Sequence, residues 1–96
     1  MAAMDLLGRR WALRVLWELR NGPVGARDLR RRCDGMSSSV LYERLRELTA
    51  AGLIARDEDQ YALTAQGRTL ETAIAALDTW AQQWTPDRSG DESAPF

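Results

Sequence analysis

The residues of this 96-residue chain that could do chemistry are not those of a catalyst. There is no histidine, so the commonest general base and metal ligand is missing. The single cysteine, Cys33, has no partner for an internal disulfide and too few neighbours of the right type for a metal set. The carboxylates are spread over polar faces or crowded into Asp57-Glu58-Asp59, and no glycine-rich phosphate loop occurs. What remains is a hydrogen-bonding cluster, Ser37-Ser38-Ser39 with Tyr42, Glu43 and Arg46, and a large stock of arginine. Hydroxyls and a guanidinium within one short segment can address base edges, and further arginines can grip phosphate through forked donors. No enzymatic activity, metal or cofactor is expected.

The elements that must position this cluster follow from apolar spacing. Leu41, Leu45 and Leu48 recur at i, i+4 and i+7, which places them on one face of a helix over residues 37–50. Ser37 is placed to cap it, accepting from a free backbone N–H of the first turn. The outward face then carries Ser39, Tyr42, Glu43 and Arg46, with Ser38 at its edge. These polar side chains lie toward the N-terminal end, where a recognition helix meets base edges.

Composition and charge set the bounds. The length allows one domain, no apolar run approaches the ~18 residues of a membrane span, and residues 1–5 do not read as a secretion signal. With one cysteine, a reducing cytoplasm is the expected compartment and no membrane is expected as a partner. The net charge of −1 hides an asymmetry: residues 1–50 hold ten arginines against six acids, and residues 51–96 three against eight. A basic half joined to an acidic half predicts one face that meets polyanion. All thirteen cations are arginine, which suits forked contacts with phosphate or guanine; arginine-rich codon usage accounts for it equally well.

Taken in order, residues 4–20 predict one long helix, ended by Asn21-Gly22-Pro23. One stripe, Trp11, Ala12, Val15, Leu16 and Leu19, suits the core; Leu6, Leu13 and Trp17 form a second arc that a monomer should not leave bare. The chain's own last helix or a second subunit could cover it, and a shared, partly intersubunit contact is the reading adopted. Residues 26–33 predict a short helix bearing Arg30-Arg31-Arg32, at least part of which must face solvent or phosphate. Gly52 ends the next helix, and residues 53–56 and 60–63 predict a β-hairpin around the acidic tip. Thr64 then caps a helix running to about Trp84, whose Leu70, Ile74, Leu77, Ala81 and Trp84 alternate spacings of 4 and 3, with Trp80 widening the seam. Such a helix is made to lie against another. Residues 85–96 have the composition of a disordered tail.

The order helix, helix, turn, helix, hairpin, helix describes a mainly α protein with a small β-hairpin, a winged helix-turn-helix with a C-terminal dimerisation helix. The residues also resemble the HxlR-type bacterial transcription regulators from Leu6 to about Trp80. The resemblance rests on Leu7-Gly8-Arg9-Arg10-Trp11, Leu16-Trp17-Glu18-Leu19, Gly22-Pro23 and Asp28-Leu29-Arg30. Gly35-Met36-Ser37, Val40-Leu41 and Arg44-Leu45-Arg46-Glu47-Leu48 form its most specific block. Ala51-Gly52-Leu53-Ile54 and Tyr61 to Gly67 close it.

The resemblance implies a homodimer joined through its terminal helices and binding a palindromic operator in double-stranded DNA. It places DNA contacts on Ser37, Ser38, Ser39, Tyr42, Arg46 and Arg56. Arg27 and Arg31 are the expected phosphate contacts on the preceding helix. Dimer contacts fall on Leu6, Leu13 and Trp17 with Ile74, Leu77, Trp80, Ala81 and Trp84. A pair of such helices addresses half-sites ~10 base pairs apart or a multiple of that.

Three departures from the family pattern matter. Gly25-Ala26 replaces an Arg-Phe pair, Ser38-Ser39 stands where a basic first turn is common, and the wing tip is acidic. Three carboxylates are repelled by phosphate, so the tip is expected to stay off the DNA, leaving Arg56 to make any contact there. Cys33 falls where the family places an aliphatic core residue and is read as buried, not as a redox sensor. The tryptophans are read first as core and interface; a small-molecule effector held between subunits is a secondary expectation. The main rival reading is a winged helix used for protein interaction, which an acidic wing would suit but which has no need of Ser38, Ser39, Tyr42 and Arg46 at the helix front.

Overall fold

Capped turns and leucine spacing divide the chain into helices and one small sheet, in the computed structural model that describes residues 2–84. The tail reading for residues 85–96 falls outside the described residues. The elements run α1 (Ala2–Leu7), α2 (Ala12–Glu18), β1 (Val24–Gly25), α3 (Ala26–Arg32), α4 (Ser38–Ala50), β2 (Ile54–Asp57), β3 (Gln60–Leu63) and α5 (Ala65–Gln83). The fold is a winged helix-turn-helix: mainly helical, with a three-stranded antiparallel sheet ordered β1-β3-β2.

The single helix expected over residues 4–20 is broken. Gly8 and Arg9 close α1 by donating to the carbonyls of Met4 and Leu6, at 2.8 and 3.3 Å. Trp11 then takes the left-handed conformation, φ 76°, before α2 begins. That backbone costs a bulky L residue about 1–2 kcal/mol, so something must hold it. The guanidinium of Arg44 does so from outside, its Nε donating to the Arg10 carbonyl at 2.9 Å. The apolar arc of Leu6, Leu13 and Trp17 is therefore not one helical stripe, because Leu6 sits on α1 and the other two on α2.

Behind the break the core assembles as the spacing predicts. Ala12, Val15, Leu16 and Leu19 are buried, and Leu41, Leu45 and Leu48 meet them from α4. Each buried valine or leucine among them contributes about 1.5–3 kcal/mol. Trp11, expected in this face, is only half-buried, with the Arg10 guanidinium 5.5 Å from its ring centroid. Cys33 is fully buried in the same core.

The sheet forms the other wall. Ile54 pairs with Leu63 and Arg56 with Tyr61 in the hairpin. β1, which the sequence reading lacks, adds Val24 opposite Tyr61. Ile54, Tyr61 and Leu63 point inward while Ala55 to Gln60 are exposed, so the wing's buried side chains lie at its base and at Tyr61, and β1 pairs with the outer half of β3 at Gln60. That base is a clasp. Thr64 donates from its hydroxyl to the Gly52 carbonyl at 2.6 Å and from its backbone to Leu53 at 3.0 Å, while its hydroxyl caps Gly67 N–H at 3.1 Å. Gly67 packs so closely that an added Cβ would lie 2.1 Å from the Leu53 carbonyl oxygen.

α5 divides the seam predicted for it. Ile74, expected at the dimer contact, is buried in the chain's own core, 3% exposed, and reaches only the floor of the neighbouring groove; a heptad stripe cannot distinguish a helix's own core from its copy. Leu77, Trp80 and Trp84 are 40, 57 and 52% exposed, and the two indoles stack with centroids 5.3 Å apart. No helix among the described residues is long and apolar enough to cross a membrane.

Candidate nucleic-acid interface

α4 is the best-defined element of the site because both its ends are closed chemically. Ser37 accepts from Val40 N–H at 3.2 Å, satisfying one of the orphan donors of the first turn. At the other end Gly52, φ 78°, completes a Schellman motif: its N–H donates to Thr49 and that of Leu53 to Leu48, both at 3.0 Å. Leu41, Arg44, Leu45 and Leu48 are buried, which turns Ser38, Ser39, Tyr42, Glu43 and Arg46 outward, all exposed. The expected reading face is therefore a single exposed surface, with Tyr42 53% exposed.

Two concavities flank this face. The first, about 570 Å³, is lined by Arg27, Arg30, Arg31 and the turn from Asp34 to Ser37. It brings the predicted Arg27, Arg31 and Ser37 together at the junction of α3 and α4. Arg31 is held by Asp28 at 2.9 Å, an exposed i, i+3 pair, which contributes little to stability but restrains the guanidinium. Arg30, absent from the predicted contacts, belongs here too; its Nε donates to the Met36 carbonyl at 3.3 Å. The spacing of Arg27, Arg30 and Arg31, i, i+3 and i+4, would have found it. Arg32 instead turns back to α2, 3.9 Å from the Glu18 carboxylate.

The second concavity, about 510 Å³, lies between α4 and the wing and is lined by Tyr42, Leu45, Arg46, Thr49, Ala50, Arg56 and Tyr61. Tyr42, Arg46 and Arg56 edge a mostly apolar floor. The Arg56 Nε donates to the Glu58 carbonyl at 2.9 Å, so the wing's cation is tied across its own turn. Glu58 holds φ 56° there. Serines and tyrosine beside arginine, backed by an arginine-lined hollow, put on one side of the molecule the kinds of donor that base edges and phosphates accept from.

The dimer candidates gather at another place. Leu13, Ile74 and Leu77 share an apolar groove of about 270 Å³ with Met4, Leu7, Gly8, Leu70 and Ala73. Leu6, Trp17 and Ala81 are half-buried, Leu6 and Trp17 packing on the core, and the Arg20 guanidinium lies 4.0 Å from the Trp17 ring centroid. Cys33 is not part of either face. Burial pushes its thiol above the ordinary range, Arg14 acting against this and Glu18 with it, so at neutral pH it is a protonated core group. No cluster of metal-ligating side chains occurs among the described residues.

Helix, turn and capped reading helix, followed by a hairpin, define a winged helix-turn-helix DNA-binding protein. The chain belongs to the HxlR-like helix-turn-helix family, which it matches over residues 6–89. It is 30% identical over 89 residues to the HTH-type transcriptional regulator YvaP of Bacillus subtilis, spanning 85% of this chain and 82% of that one. Quinone-bound YodB of B. subtilis superposes with a TM-score of 0.80 at 30% identity, covering 86% of this chain and 94% of that chain. The redox regulator HypR in its oxidized form gives 0.81 at 26% identity, covering 90 and 96%. The protein is accordingly a DNA-binding transcriptional regulator of this family.

Proposed function

We propose that the chain acts in the cytoplasm as a homodimer on a palindromic operator, residues 1–84 forming one reading and dimerisation domain. α4 of each subunit lies in the major groove, with Tyr42 and Arg46 as the main base readers and Ser38 and Ser39 beside them. Arg27, Arg30 and Arg31 hold phosphate on one flank, Ser37 shares that hollow, and Arg56 supplies the wing's only basic contact. The observation that carries the reading is the exposure of Ser38, Ser39, Tyr42 and Arg46 on one face beside an arginine-lined hollow. A partner subunit covers Met4, Leu77 and the stacked Trp80 and Trp84, a contiguous exposed apolar surface that a lone monomer seldom carries. Leu13 lines the adjoining groove, and the half-buried Leu6, Trp17 and Ala81 are assigned to the same contact. A small-molecule effector shares the groove beside Leu13 and Leu77; YodB and HypR are described in quinone-bound and oxidized forms.

Fluorescence anisotropy against the DNA upstream of the chain's own gene and against a scrambled duplex tests this directly. Specific binding should exceed scrambled by about 10³-fold or more, both falling steeply with salt. Equal, weak binding to both duplexes at every salt concentration would leave the protein-interaction reading in its place. Leu77→Asp should give monomers in sedimentation; an intact dimer removes the proposed interface.

A further inference from the structure

Two arginines stand two residues apart on α4 and face opposite ways. Arg46 is exposed at the reading face, while Arg44 is 8% exposed on the inner side. A buried guanidinium is tolerated only when its donors are satisfied. All three nitrogens of Arg44 are: Nη1 meets the Glu47 carboxylate at 2.6 Å, Nη2 the Glu43 carboxylate at 3.2 Å, and Nε the Arg10 carbonyl at 2.9 Å. The first two contacts stay within α4. The third crosses 34 residues of sequence to the corner between α1 and α2. Arg9 adds a looser strap, 3.7 Å from Glu47, to the same corner.

The corner that receives Arg44 is not ordinary backbone. It carries the left-handed Trp11 immediately after the bonded carbonyl, and its two helices bring Met4, Leu7 and Leu13 to the apolar groove. One buried side chain therefore fastens the reading helix to the segment that faces the proposed partner subunit. We propose that Arg44 is a positioning residue for DNA reading: it fixes the tilt of α4 against the α1–α2 corner, and so the separation of the two reading helices. The assignment rests on the dimeric-regulator reading above. Arg44 touches no DNA; it decides where Arg46 and Tyr42 arrive. Lysine can keep the charge but not the fork, since one ammonium cannot reach a carbonyl and two carboxylates in those directions.

The test uses full-length protein and duplexes selected by the wild type from a random library. The spacer between half-sites is then lengthened and shortened by one base pair, which rotates one half-site against the other. Wild type should lose roughly tenfold or more in affinity on either change, a penalty of the size a mismatched pair brings. Arg44→Lys, shown folded by circular dichroism at the assay temperature, should lose less than about threefold, with scrambled-duplex binding and its salt slope within about twofold of wild type. Arg44→Met should flatten the spacing preference further; should it fail to fold, the lysine variant carries the test alone. A folded Arg44→Lys that keeps the wild-type spacing preference overturns the assignment while leaving the dimer intact. Wild type without any spacing preference removes the dimeric reading and this inference with it.

Discussion

α4 and the β2–β3 wing lie side by side, yet they are held in different ways. The helix is closed at both ends by named hydrogen bonds and buries three leucines and an arginine along its inner face. The wing has four-residue strands, an exposed outer half and a tip of three carboxylates around a left-handed Glu58. The firmer hold is thus on the element that carries Tyr42 and Arg46, which suits the base readout proposed for them, since such readout tolerates little positional error. The wing is held most tightly at its base, where Thr64 and Gly67 clasp Leu53 and Gly52, while β1 pairs only with its inner strand, at Tyr61 and Gln60. Under the proposed reading it serves as a strut between α4 and α5 more than as a second reader.

The largest expected effect lies in that base. Gly67→Ala would put a methyl group 2.1 Å from the Leu53 carbonyl oxygen and 3.1 Å from Leu63 Cδ2. Backbone oxygen cannot swing aside like a side-chain tip, so the hairpin and α5 must separate. A loss of about 3 kcal/mol, the upper end for overpacking, is expected. That corresponds to a fall of more than ~10 °C in the melting midpoint for a domain of this size. A midpoint unchanged within a degree or two, by circular dichroism, would show that the wing base is loose and undo the contrast with α4.

The contrast also predicts unequal roles for two exposed arginines. Arg46→Ala should lower affinity for the specific duplex by about 1–3 kcal/mol and relax preference at one base position. Arg56→Ala, whose guanidinium is already engaged with the Glu58 carbonyl, should cost less than about 1 kcal/mol and act equally on specific and scrambled duplexes. Anisotropy titrations of the two variants decide it. A larger loss from Arg56→Ala would make the wing the reader.

Legibility in the sequence followed the range of the interactions. α4, its Ser37 cap and its Gly52 stop were readable because cap, stripe and stop all lie within 16 residues of one another. The hairpin and the Thr64 cap were readable for the same reason. β1 was not: two residues long, it exists only because Val24 finds Tyr61 across the sheet. The break between α1 and α2 was hidden because apolar spacing continues through Trp11 and Ala12, while the group that holds the break open is Arg44, far along the chain. The α5 stripe does not tell its parts apart, because the same spacing serves the chain's own core at Ile74 and an open surface at Leu77. Of the candidate site, the residues on α4 come from local pattern alone, and Arg30 is open to the same kind of reading through its i, i+3 spacing from Arg27, although only the α3–α4 junction shows the hollow the two share.

The smallest effect bears on the wing tip. Glu58 sits at φ 56°, a region that costs an L residue about 1–2 kcal/mol and glycine almost nothing. Glycine gives back roughly 0.5–1 kcal/mol through the entropy of the unfolded chain, so Glu58→Gly should stabilise by at most about 1.5 kcal/mol. The Arg56 bond survives, because it is made to the backbone carbonyl and not to the carboxylate. The same substitution removes one of the three tip charges, which separates two placements of the wing. With the tip held off the phosphates, scrambled-duplex affinity at low salt should stay within about twofold while the melting midpoint rises a few degrees. If affinity instead climbs severalfold and the gain fades with added salt, the tip lies against the phosphate backbone, and the wing is a contact surface that its own carboxylates weaken.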